Sequence, residues 1–290
     1  MKSGTNHLEA ASAGQAADSP AASPNPAPGT SVPAATAADS PSVQPPAAAV
    51  LPTTPEPAPV AAPSAPAPKP VPFAPGEKLT FDVKFGPLRV GSAVLEVRGI
   101  EQVRGTSAWH TRFTVRGSAL GVKVNDLYES WFDVTTLSSL RHLQDVDEGP
   151  YERKRTFEIF PDRRVYVEQV EGKEPREAAS VALPLDDGSF IYFVRSIPLE
   201  VGRTYEFHRY FRPDRNPVTI HVLRRERVRV PAGSFDAIVV RPVIKAKGIF
   251  SEGGRAELWL ADDSTRVMLQ LQSKLSFGSL NLYLTSITRP

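Results

Sequence analysis

Glu206, His208 and His221 are the side chains whose types and spacing best suit a metal. If residues 212–217 form a symmetric six-residue hairpin loop, Phe211 opposes Val218 and His208 falls opposite His221, with Glu206 two residues along on the same face. Two imidazoles and a carboxylate could then hold zinc with one position open, as in a metal-dependent hydrolase. That chemistry depends on register, since a slip of one residue sends the histidines to opposite faces. Exposed strand histidines are also commonly just solvated. The expectation is no bound metal and no cofactor, with a hydrolase or metal-dependent enzyme on this face as the alternative.

The same stretch is rich in arginine. Arg203, Arg209, Arg212, Arg215, Arg224, Arg225, Arg227 and Arg229 stand against only Glu206, Asp214 and Glu226, a local excess of +5. A positive field of this kind suits an anionic partner such as lipid headgroups, an acidic glycan or an acidic protein. Arg209, Arg212, Arg215, Arg224 and Arg225 are the candidate contacts, with loop residues Arg212 and Arg215 expected to be the least constrained. The competing reading is a solvated face whose cations keep edge strands from pairing.

Other chemistry is sparse. Asp262-Asp263 is a carboxylate pair, but neighbours on a strand point to opposite faces and Asp-Asp-Ser-Thr suits a turn. Asp186-Asp187 fits a helix cap better than an acid/base pair. There is no Gly-x-Ser-x-Gly, P-loop, His-Glu-x-x-His or Gly-x-Gly-x-x-Gly motif. Trp109, Trp131 and Trp259 sit among apolar strand neighbours, where core packing is the default and lining an apolar ligand cavity the functional option.

These residues need strands to position them. Leu79, Phe81, Val83 and Phe85 alternate with Thr80, Asp82 and Lys84, the period of a strand with one face buried. Ala93, Leu95 and Val97 repeat it, as do Trp109, Thr111, Phe113 and Val115. Further strands are expected at 127–134, 152–160, 164–170, 204–211, 218–229, 235–245, 255–261, 266–277 and 280–288, between short Gly, Pro or Asp breaks. Phe190, Phe193, Val194 and Ile197 instead follow helical spacing, with Asp186, Asp187 or Ser189 as N-cap and Pro198 as the stop. The fold expected is all-β and mainly antiparallel, a sandwich or partly open barrel with one short helix plugging an end or crossing a face. The polar face of the last strands, including Met268 and Gln270, is expected to meet water or a partner.

Of the 290 residues, 1–72 hold 17 of the 29 prolines, no aromatic residue and six charged ones. Such a segment cannot bury enough apolar area to offset its chain entropy, so it reads as a disordered Pro/Ala spacer ahead of one domain at 73–290. Extended as polyproline II, its ~50 repetitive residues would reach about 160 Å. With no cysteine, disulfides, thiolate nucleophiles and iron–sulfur clusters are excluded. Net charge is +2 overall, too mild for a general nucleic-acid binder. No apolar run is long enough for a transmembrane span, and Met1–His7 lacks the apolar core of a signal peptide.

The segments Gly76-Glu77-Lys78-Leu79-Thr80-Phe81-Asp82-Val83 and Gly86-Pro87-Leu88-Arg89-Val90-Gly91-Ser92-Ala93 resemble the start of domain-of-unknown-function family 3108. Residues 187–195, 230–237 and 257–263 continue the resemblance in the family's order, over about residues 74–288. It implies a β-rich protein exported to the bacterial periplasm or envelope, with no assigned activity and no catalytic residue to carry over. The expected role is a non-catalytic binding or assembly module for an anionic or amphiphilic envelope component.

Overall fold

The computed structural model describes residues 70–119, 121–245, 256–275 and 278–289. The Pro/Ala segment up to residue 69 lies outside them. Among the described residues, Val71 and Phe73 already pack against the core.

Alternating side chains form two meanders. The first runs β1 (Lys78–Phe85), β2 (Leu88–Val103), β3 (Thr106–Ala119), β4 (Val122–Asp133), β5 (Ser139–Glu148), β6 (Tyr151–Phe160), β7 (Val165–Val170) and β8 (Arg176–Ala179). The second runs β9 (Thr204–Phe207), β10 (Val218–Val230), β11 (Gly233–Val243), β12 (Glu257–Ala261), β13 (Met268–Leu275) and β14 (Gly278–Thr288). Pairing of β1 with β14 joins them into one fourteen-stranded antiparallel sheet whose free edges are β8 and β9. Of the two architectures expected from sequence, the single open, curled sheet is the one present. Both edge strands are four residues long and carry charges, Arg176 and Glu177 on one and Glu206 on the other, which discourages pairing with another chain.

Two devices curl the sheet at one end. The β1–β2 register shifts between Val83 and Lys84, a bulge that increases local twist. Beside it Gly91 pairs with Gly117 on β3. A β-carbon on either glycine would lie 2.3 Å from a backbone carbonyl oxygen of the other strand, so only glycine permits this approach.

Between the free edges in sequence lies α1 (Asp187–Ser196), the one α-helix among the described residues. It forms where helical spacing predicts, with Asp186 as N-cap and Ser189 completing a capping box. Phe190, Tyr192, Phe193 and Val194 are buried in the main core. In its last turn Arg195 donates to both carboxylate oxygens of Glu77, at 2.6 and 3.0 Å, and to the carbonyls of Pro72 and Thr265 at 3.0 Å. This buried fork ties the helix to the chain entering β1. Breaking such a pair from one side typically costs about 3–5 kcal/mol, because a charge is left buried alone.

The expected β9–β10 hairpin is a correction. Phe207, not Phe211, opposes Val218, and His221 opposes Thr204. The chain leaves the sheet after Phe207 because Tyr210 and Phe211 are core residues. Phe211 packs edge-on against Phe157 and Tyr166, with ring centres 5.2 Å apart in each case. Its backbone N–H donates to Leu185 O, and Leu185 N–H donates to Arg209 O, so this segment straps the approach to α1. Asn216 closes the loop by bonding the backbone N–H and carbonyl of Tyr210. The face expected to be wet on β13 is also partly covered, since Met268 and Gln270 are buried. Gln270 stands between Trp259 on β12 and Tyr283 on β14.

Candidate binding pocket

The curled end encloses a pocket of about 80 Å³, open on one side. That is several times the ~10–15 Å³ that admits one water. Its walls are Val83 from β1, Val90 from β2, Phe113 and Val115 from β3, and Leu280 and Leu282 from β14. Gly91 and Gly117 complete the wall where side chains are excluded. The lining is apolar except on the β3–β5 side, where Arg116, Ser118, Asp126, Tyr128 and Glu148 contribute.

Asp126 and Glu148 are the unusual members, at 5% and 4% exposure. Strand alternation turns Asp126 to the same side of β4 as Tyr128 and Ser130, the buried side. Asp126 accepts a hydrogen bond from the backbone N–H of Asp147 at 3.1 Å, and it is hydrogen-bonded to Glu148 and Tyr128. Burial, followed by the negative charge of Asp147, pushes its carboxyl up to about 6 despite those bonds.

Further along the lumen, Ser130, His142 and Asp186 meet with the composition of a hydrolytic triad but different bonding. Ser130 Oγ donates to Asp186 Oδ1 at 2.6 Å. His142 Nδ1 lies 2.9 Å from the carbonyl of Glu129, an acceptor only, so Nδ1 carries the hydrogen. Nε2 faces Gln144 Nε2 at 3.0 Å and accepts from it. The imidazole lone pair is therefore occupied, and the serine proton goes to a carboxylate that also caps Gly188 and Ser189. All three side chains are buried. The cluster anchors the N-terminus of α1 and offers no activated nucleophile.

The structure disperses the residues singled out from sequence. His208 lies outside β9 in an exposed position, so Glu206, His208 and His221 are not assembled; His221 Nδ1 instead lies 3.0 Å from Thr204 Oγ1. Among the described residues no group of three histidine, aspartate or glutamate side chains is placed to hold a metal ion.

Three of the five candidate arginines turn inward. Arg209 donates to the carbonyls of Leu183 and Thr136, at 2.7 and 3.1 Å, above the ring of Phe193. Burial lowers its guanidinium to about 10, which leaves it charged at neutral pH. Arg212 lies over Phe157, Tyr166 and Phe211 and within 3.7 Å of Glu168. Arg215 is only 4% exposed and lies over Tyr210. The expectation that Arg212 and Arg215 are the least constrained is therefore overturned: the strap carries them into the core. Arg224 and Arg225 do stay near the surface, the first paired with Glu226 and Glu257 and the second with Asp262.

The three tryptophans have different surroundings. Trp109 faces inward against Phe73. Trp131 lies on the other face of the sheet, stacked on His110 at 4.4 Å and donating to Glu101 at 2.8 Å. Trp259 shares the face of Glu257 and donates to Glu226 at 2.6 Å. None of the three contributes to the apolar pocket. Sequence reading missed Asp126 because it began the strand at residue 127. The available signal was parity, since Asp126 falls in step with buried Tyr128 and Phe132.

An open antiparallel sheet with one short helix and an apolar pocket in its wall defines a β-rich fold of the β-barrel-like kind. Residues 80–285 match the family described as protein of unknown function (DUF3108), and the chain belongs to that family. No curated protein matches it. Among solved structures it is similar to a β-barrel-like protein of domain of unknown function DUF1849 from Brucella abortus, at 9% identity and TM-score 0.48, covering 76% of this chain and 100% of that one. It is also similar to a candidate lipoprotein from Parabacteroides distasonis, at 8% identity and TM-score 0.34, covering 75% and 98%. A candidate exported protein with a YmcC-like fold from Bacteroides fragilis matches at 13% identity and TM-score 0.32, covering 76% and 98%.

Proposed function

We propose that the protein is a non-catalytic binding module of the bacterial envelope that takes the apolar end of an amphiphilic component into the pocket at the curled end of its sheet. The observation that carries this reading is the pocket itself, an apolar recess in whose wall two glycines meet backbone to backbone. Sheets that have no ligand to hold usually fill such space to close-packed density. The envelope setting follows from what the family resemblance implies. No helix among the described residues is long and apolar enough to cross a membrane. An anionic surface site has less support, because Arg209, Arg212 and Arg215 are engaged in tying the strap to the core.

Titration with the apolar fluorophore N-phenyl-1-naphthylamine tests the proposal. We expect saturable binding at one site per chain, lost in Val115→Trp, which fills the pocket from a partly exposed wall position. Absence of binding, or equal binding by the filled variant, would rule out the pocket as the site.

A further inference from the structure

We infer, resting on that reading of the pocket, that its ligand is an alkyl amine whose ammonium group is held by the hydrogen-bonded carboxyl pair Asp126–Glu148. Charge complementarity selects this occupant. The apolar walls on β1, β2 and β14 fit a short alkyl chain, while the β4–β5 wall includes the two buried acids. An ammonium brings three donors and one positive charge to that wall, where Asp126 is the acid that ionises above about 6.

The charged and titratable surroundings agree. Tyr128 on β4 is hydrogen-bonded to Asp126, and Asp147 on β5 adds negative charge beside it. On β3 the cation lining the pocket is Arg116, exposed and turned to Asn125 Oδ1 at 3.1 Å. Burial, with the charge of Asp147, raises the Asp126 carboxyl more than its hydrogen bonds lower it. Glu77 shows the contrast within the same protein: it is equally buried, but a guanidinium meets both of its oxygens. An alkyl carboxylate would instead have to place its charge at the rim near Arg116, with its chain against the acids. An alcohol would gain one hydrogen bond and no charge.

Three probes with the same chain separate these cases. The amides of Gly91 and Gly117 report on pocket occupancy in a nitrogen-15 NMR titration of the full chain with octylamine, octanol and octanoate at pH 7. We expect octylamine to saturate both amides at a concentration at least tenfold below octanol or octanoate. Its binding should weaken as pH falls from 7 to 5, as Asp126 takes up a proton. Asp126→Asn and Glu148→Gln should each remove the preference while leaving octanol binding in place, which also shows that the pocket is intact. Octanol or octanoate saturating as early as octylamine would overturn the amine while sparing the pocket. No shift at either glycine with any of the three would overturn both readings.

Discussion

Gly91 and Gly117 meet backbone to backbone: a β-carbon placed on either would come within 2.8 Å of the other's Cα as well as 2.3 Å from a carbonyl oxygen. The contact lies in the pocket wall, so the feature that bends the sheet also shapes the site. Neither glycine has the positive φ of a turn residue, unlike Gly86 at +57°. Space, not backbone conformation, requires glycine at both positions.

Gly91→Ala and Gly117→Ala should therefore each destabilise the protein by about 1–3 kcal/mol, the usual penalty of overpacking, since the obstacle is backbone and cannot rotate away. Gly172→Ala makes an informative contrast, because open space surrounds it while its φ of +73° still strains an alanine. Denaturant unfolding of the variants checks this. Alanine tolerated at both pocket positions without loss would mean that the two strands can separate, and that the curl does not depend on their contact.

The arginine-rich strap supplies a second prediction. Arg215→Glu should lower stability by several kcal/mol, because it buries a carboxylate beside Asp187 and Tyr210, whose hydroxyl already donates to Asp187 at 2.9 Å. Arg227→Glu should change stability by less than about 0.5 kcal/mol, as its pair with Asp236 is solvent-exposed. Thermal unfolding at neutral pH distinguishes the two. Equal, small effects would return Arg215 to the surface and restore it as a candidate contact for an anionic partner.

What could be read from sequence follows from which side chains face inward. The strands β1, β2 and β3 carry apolar side chains in strict alternation, and α1 carries helical spacing with a cap and a proline stop, so periodicity reveals them. Strand β5 escapes because its buried side holds His142, Gln144 and Glu148. A polar network inside the lumen cancels the alternation on which strand detection relies. The strap escapes for another reason. Tyr210 and Phe211 look like the end of a strand, and only tertiary contacts with Leu185, Phe157 and Tyr166 draw them out of the hairpin. The pocket combines buried acids on strands with a close backbone approach, and neither is a local motif.

Asp126 gives the pH prediction. Its carboxyl is raised from 3.8 to about 6 in the folded protein, chiefly by burial. Between those values the folded state holds a proton that the unfolded chain has released, so stability falls as pH rises through this window. Above about 6 both states are ionised and the full cost of a buried carboxylate is present. In Asp126→Asn the group no longer titrates, while the side-chain oxygen can still accept from the Asp147 N–H. The unfolding free energy of the variant relative to wild type should thus increase by about 1–3 kcal/mol between pH 4 and pH 7. Carboxylates remote from Asp126 contribute equally to both proteins and cancel in the difference. Denaturant unfolding across that range, without ligand, measures it directly. A flat difference, or one that falls with pH, would show that water or a cation already compensates Asp126, and the acid pair would then have no charge left to offer an incoming ammonium.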